Sequence, residues 1–147
     1  MNILKHTDMP RDIGLLIIRL GIGGSMLIIH GYGKITGGTA GWEKLGSNMS
    51  MIGMDFAPVF WGFMAAFSET VCSLLIMIGM LFRPATALLA VTMIVAALRH
   101  LTLPEGAAGA GWSGASHALE LLIIYIGLFF LGPGKYRLTV SGRGSGL

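Results

Sequence analysis

Charge is what this sequence has least of. Asp, Glu, Lys and Arg make up 12% of its 147 residues, about half the share of a soluble domain. So small a supply cannot coat a water-facing surface. Apolar residues reach 54% and mean hydropathy is +0.76, so the chain is expected to lie in a bilayer. Cysteine is nearly missing as well: Cys72 stands alone inside an apolar run. That excludes an internal disulfide, a CxxC redox pair and a c-type haem attachment. Net charge is +3 and pI about 9.4, yet no basic cluster with interleaved aromatics is present. No nucleic-acid partner is expected. A signal peptide is not expected either. Residues 1–12 are mixed polar, the next apolar run is too long for an h-region, and no small-residue cleavage site follows it. The first helix should remain in the mature protein.

What is there are apolar runs long enough to cross a membrane, about 20 residues each. They fall at 13–35, 56–82, 84–103 and 115–131. The expected fold is all-α: a single domain over 1–147, built as a four-helix transmembrane bundle, with a flexible end at 141–147. Pro58 is tolerated in a first helical turn. Arg83-Pro84 reads as the tight turn between the second and third spans, and Gly132-Pro133-Gly134 closes the fourth. The other connections, 36–55 and 104–114, are glycine-rich. Lys5, Arg11, Arg83, Lys135, Arg137 and Arg143 flank one side; Lys34 and Lys44 flank the other. This bias places both termini in the cytoplasm. Trp42, Trp61 and Trp112 near the outer span ends read as interface anchors.

Ionisable groups inside spans cost about 2.5–3.5 kcal/mol each on insertion scales and usually face the bundle interior in pairs. Arg19 of the first run and Glu69 of the second fall at similar depth, so they are expected to pair. A second, outer layer gathers His30, His100, His117 and Glu120, with Lys34 at the first helix's end and Arg99 beside His100. Arg19 and His30 are eleven residues apart, three turns plus about 20°, which puts them on one stripe. His117 and Glu120, three apart, share a face. Gly21, Gly23, Gly24 and Ser25 invite close helix approach. Gly31 and Gly33 loosen the helix around Tyr32. A metal, a haem held by two histidines, or a quinone hydrogen-bonded by His and Lys would each use such a layer. No HExxH or CxxCH motif is present, and His117/Glu120 reads HxxE, the reverse of the di-iron order; a metal is not expected. Met49, Met51 and Met54 offer thioethers for copper(I), or simply an apolar loop against the bilayer.

The stretches RLGIGGSMLIIHGYGK, SETVCSLLIMIGMLFRPATALL, RHLTLP and HALELLIIYIGLFFLGPGKYRL, in this order, resemble the DoxX family of small bacterial and archaeal membrane proteins over about 12–140. The resemblance implies a four-helix membrane bundle in the bacterial inner membrane. It implies that Arg19, His30, Gly31, Lys34, Glu69, Arg83, His100, Glu120 and Gly132-Pro133-Gly134 hold the family's marked positions. Cys72 and Ser73 depart from a usual glycine, and Arg137 from a usual serine. The function it implies is a subunit of, or accessory to, a quinone-linked redox system, working with another membrane or periplasmic redox subunit. His30 and Lys34 would then contact the ligand, with His100 and His117 nearby and Glu120 relaying a proton. A non-catalytic scaffold or small-molecule carrier, a haem or metal binder, and a homo-oligomer stay open, as does whether the chain is an enzyme.

Overall fold

The computed structural model describes residues 8–138, and every regular element among them is helical. Four helices are long and apolar enough to cross a membrane: Met9–Ile35, Pro58–Ile78, Phe82–Thr102 and Gly111–Leu131. Three of them are 21 residues long, about 31 Å at the helical rise, which matches a hydrocarbon core. Their outer faces carry Ile28, Ile123 and Phe130, each at least 70% exposed, as suits helices solvated by lipid. Inside, Leu89, Met93 and Ala97 of the third span meet Ala115, Leu121, Tyr125 and Leu128 of the fourth around Ile76. The expected tail at 141–147, with Lys5 and Arg143, lies outside the described residues.

Several boundaries differ from those expected. The turn between the second and third spans is not Arg83-Pro84. The second span ends at Ile78, and Gly79 takes the left-handed conformation (φ +77°) that ends helices at low steric cost. The third span then starts at Phe82. Pro84 falls in its first turn, where the missing N–H would have had no helical partner anyway. The fourth span starts at Gly111 rather than at 115.

The connection after the first span is not a loop. Residues Gly38–Gly46 form a helix and Ser47–Ile52 a 3₁₀ turn, folded back on the second span. Two glycines permit this. A Cβ on Gly46 would collide with the Pro58 carbonyl, and one on Gly62 with the Trp42 carbonyl. Backbones therefore touch where side chains would hold them apart.

The first and second spans share an irregularity. Each widens to a π-helix, at Met26–Gly31 and Ser68–Cys72. The two π segments contact each other, and a Cβ on Gly31 would strike the Glu69 backbone. Thr70 contributes locally: its hydroxyl donates to the Ala66 carbonyl, an i−4 back-bond that competes with the helical ladder. Such π bulges occur frequently at functional sites.

Candidate functional site

The Gly31–Glu69 contact fixes the antiparallel register of the first two spans. Gly23 then lies against Ser73 and Met77, and Arg19 against the very end of the second span. Arg19 is twelve residues from Gly31, about 18 Å along the axis. The expected Arg19–Glu69 pair is therefore not formed.

Arg19 is 1% exposed, yet all its hydrogen bonds go to backbone carbonyls. Nε donates to Ile76 O (2.8 Å) and Nη2 to Met77 O (2.8 Å). Nη1 donates to Pro133 O and Tyr136 O, both at 2.6 Å. A helix leaves its last four carbonyls without helical partners, and here each finds one. Leu75 O accepts from Gly79 and Met80, Ile78 O accepts from Leu138, and Arg19 serves the two between. The guanidinium also answers the negative end of the helix dipole. Arg19 is a clasp that ties the end of the second span to the segment after the fourth.

Glu69 has a different partner. Lys34 Nζ donates to both its carboxylate oxygens, at 2.7 and 2.6 Å. The Glu69 side chain is 3% exposed and that of Lys34 35%. This ion pair stands at the wall of a cavity of about 780 Å³. The cavity lies among the far end of the first span, the folded-back helix and the second and third spans. Phe60, Met64, Leu88, Val91 and Val95 give it an apolar body. Lys44, Arg99 and His100 add cationic or imidazole groups to its lining. Arg99 Nε donates to Asn48 Oδ1 (2.7 Å). His100 Nδ1 lies 2.7 Å from the Gly109 carbonyl; that carbonyl needs a proton from Nδ1, which leaves Nε2 of a neutral ring as an acceptor.

Two further polar atoms of the cavity wall, the Trp61 indole Nε1 and the Ser68 hydroxyl, are buried without a partner among the described residues. Ser73 Oγ and the Tyr125 hydroxyl are buried likewise. Buried polar atoms in folded proteins are nearly always hydrogen-bonded, so these four are exceptions among the described residues.

The expected outer layer divides into two places. Lys34 and His100 line the cavity, together with Glu69. His30, His117 and Glu120 do not. His30 stacks on His117, with ring centroids 5.4 Å apart and planes 30° apart. Face-to-face rings are not placed to clamp one haem plane between them. His117 and Glu120 are exposed on the fourth span. Two physical reasons account for the split. The π turn at Met26–Gly31 breaks the 100° phase that put Arg19 and His30 on one stripe. In the fourth span the buried positions are Ala115, Ala118, Leu121, Tyr125 and Leu128, and Glu120 falls on the opposite side of that pattern. Among the described residues no three His, Cys, Asp or Glu side chains come together as metal ligands would.

The tryptophans differ in role. Trp112 is 75% exposed at the start of the fourth span, as an interface anchor should be. Trp42 instead donates its indole N–H to the Lys34 carbonyl (2.9 Å), and Trp61 faces the cavity. Of the methionine run, Met49 lines the cavity and Met51 Sδ accepts from Thr102 (3.6 Å). Sequence reading missed Ser68 and the cavity role of Trp61. Ser68 adjoins Glu69, and that adjacency was the available signal.

Comparison with known proteins adds one finding. A family model described as DoxX matches residues 14–101, more than half of the chain, from the first span almost to the end of the third. No curated protein and no solved structure matches the chain.

Proposed function

The chain belongs to the DoxX family, and from that premise we propose that it is a membrane subunit of, or accessory to, a quinone-linked redox system, with its ligand bound in the cavity beside Lys34 and Glu69. The observation that carries this reading is the Lys34–Glu69 pair at the wall of an otherwise largely apolar cavity within the membrane-spanning region. An ion pair there is costly to keep and tends to mark a functional site. The volume is in the range of small-molecule sites.

The chemistry of the lining supports a carbonyl-bearing, largely apolar ligand. An ammonium has three protons, and Lys34 commits two to Glu69. Its third is unspent, and Lys44 and Arg99 add further donors to the lining. A surplus of donors in an apolar chamber suits a quinone, whose ring is flat and apolar and whose two oxygens only accept. Lys34 would hold a carbonyl oxygen. Glu69, rather than the expected Glu120, is then the carboxyl placed to hold or pass a proton. His100 completes the wall as an acceptor through Nε2. Cys72 is buried and solitary, so electrons would come from a partner redox subunit. The arrangement of Arg19 supports the scaffold reading for the opposite end of the bundle, where the charged group serves only the fold.

Binding of a short-chain quinone to the protein in lipid nanodiscs tests the proposal, read by quenching of tryptophan fluorescence. Lys34→Met should weaken binding about 10- to 100-fold, the worth of one or two charge-assisted hydrogen bonds. Val95→Trp, which narrows the chamber and leaves the ion pair intact, should weaken it as well. Saturable binding that ignores both substitutions, or no binding by the wild type, would sink the idea.

A further inference from the structure

The face shared by the first and fourth spans is unfinished. Glu120 lies nine residues into the fourth span, about 14 Å from its start, and is exposed there. It forms no ion pair with any described residue. A carboxylate turned toward hydrocarbon near mid-span is expensive, and such groups almost always face protein or a water-filled space. The large cavity is not that space, since Glu120 does not line it. Ser113, Ser116 and His117 are exposed with Glu120, all within about 60° of it around the helix.

The same stripe continues to Ile124 and Gly127. With Ile17 and Gly21 of the first span these wall a second, apolar cavity of about 430 Å³. A Cβ on Gly21 or Gly127 would meet nothing within 4 Å, so neither glycine is explained by packing inside this chain. Outward-facing small residues beside hydrogen-bonding groups are what transmembrane helices use to approach and hold one another.

We infer that this face is the contact between two copies of the chain, related by a two-fold axis along the membrane normal. Charge complementarity selects the occupant. An acid and an imidazole sit three residues apart on one stripe, so the surface is complementary to itself. A two-fold axis in the membrane brings equal depths together and makes every contact twice. Glu120 of one copy then meets His117 of the other, one helical turn away in depth, and the reverse contact follows by symmetry. The His117 ring is already held by its stack on His30, so little freedom is lost on pairing. Below, the glycine-lined grooves of both copies lie opposite each other. Lipid tails would fill the grooves but leave Glu120 unanswered. The inference does not depend on what the large cavity binds.

The experiment uses the full chain in nanodiscs at a fixed protein-to-lipid ratio, with native mass spectrometry and cysteine crosslinking in a Cys72→Ala background. The expected result is a dimer that crosslinks through Ile123→Cys, on the stripe, and not through Ile94→Cys, which is exposed on the third span. Glu120→His should lower the dimer fraction at least tenfold, as should Gly21→Leu, with helical circular dichroism unchanged. Adding His117→Glu to Glu120→His exchanges acid and imidazole and should restore the dimer. A wild-type monomer, equal crosslinking at Ile94→Cys, a dimer indifferent to both single substitutions, or a different chain crosslinked at Ile123→Cys in place of the second copy would each overturn the inference.

Discussion

At the scale of single residues, two buried charges that look alike in the sequence do opposite work. Arg19 and Glu69 are both almost fully buried, and charge alone suggests that they meet. What the sequence cannot display is a carbonyl acceptor, because every residue carries one. Arg19 spends its donors on four of them, and the planar fork of a guanidinium is what reaches several at once. Lysine keeps the charge but has no fork. Arg19→Lys is therefore expected to lower stability by about 3 kcal/mol or more, since several buried carbonyls lose their donor. Thermal unfolding in mild detergent checks this, with wild-type stability in Arg19→Lys counting against the clasp. Quinone binding in the fraction still folded should be unchanged, because Arg19 is remote from the cavity. The Lys34–Glu69 pair itself was hidden in the sequence by distance. The sequence puts Lys34 at a span end, and only the Gly31 contact brings it to Glu69.

At the scale of elements, the long apolar runs were legible to within a few residues, because hydrocarbon thickness sets their length and composition their identity. What was not legible is where glycine means a loop and where it means contact. Residues 36–55 read only as a glycine-rich connection between spans, and glycine disfavours helix. The structure places a helix there, since Gly46 and Gly62 let two backbones touch, and packing overrides propensity. The π turns left no sequence signal beyond Gly31 and Thr70. This gives a test at the same scale. Gly62→Leu cannot be accommodated against the Trp42 carbonyl, so the Gly38–Gly46 helix must lift from the second span. That helix walls the cavity through Gly41, Lys44 and Leu45. Quinone binding should fall by at least tenfold, and protease cleavage within 47–55 should become faster. Unchanged cleavage and binding would mean that the folded-back helix does not depend on this contact.

At the scale of the whole molecule, the four crossings put the two ends of the described chain side by side. The Lys135 backbone N–H donates to Asp12 Oδ1 (3.0 Å), and Arg11 Nη2 to Leu131 O (3.3 Å). Orientation then rests on where the cations fall. Arg11, Arg83, Lys135 and Arg137 lie toward that end; Lys34, Lys44 and Arg99 lie toward the other. The described bias is narrower than the flanks alone imply, because Arg99, expected in the outer layer, also counts with the far side. Lys5 and Arg143, outside the described residues, belong by sequence with the terminal group. The balance predicts that the terminal end lies in the cytoplasm. Fusions give the measurement. A fluorescent protein at either terminus should glow, and alkaline phosphatase inserted near Gly53 should be active. The opposite pattern would invert the molecule in the membrane. The outcome decides more than topology. Lys44, Ser47 and Asn48 line the cavity at its far end, so with cytoplasmic termini the chamber lies in the outer half of the bilayer. A ligand entering from the lipid would meet Lys34 and Glu69 there. A redox partner would then have to reach the same site from the periplasmic side or from within the membrane.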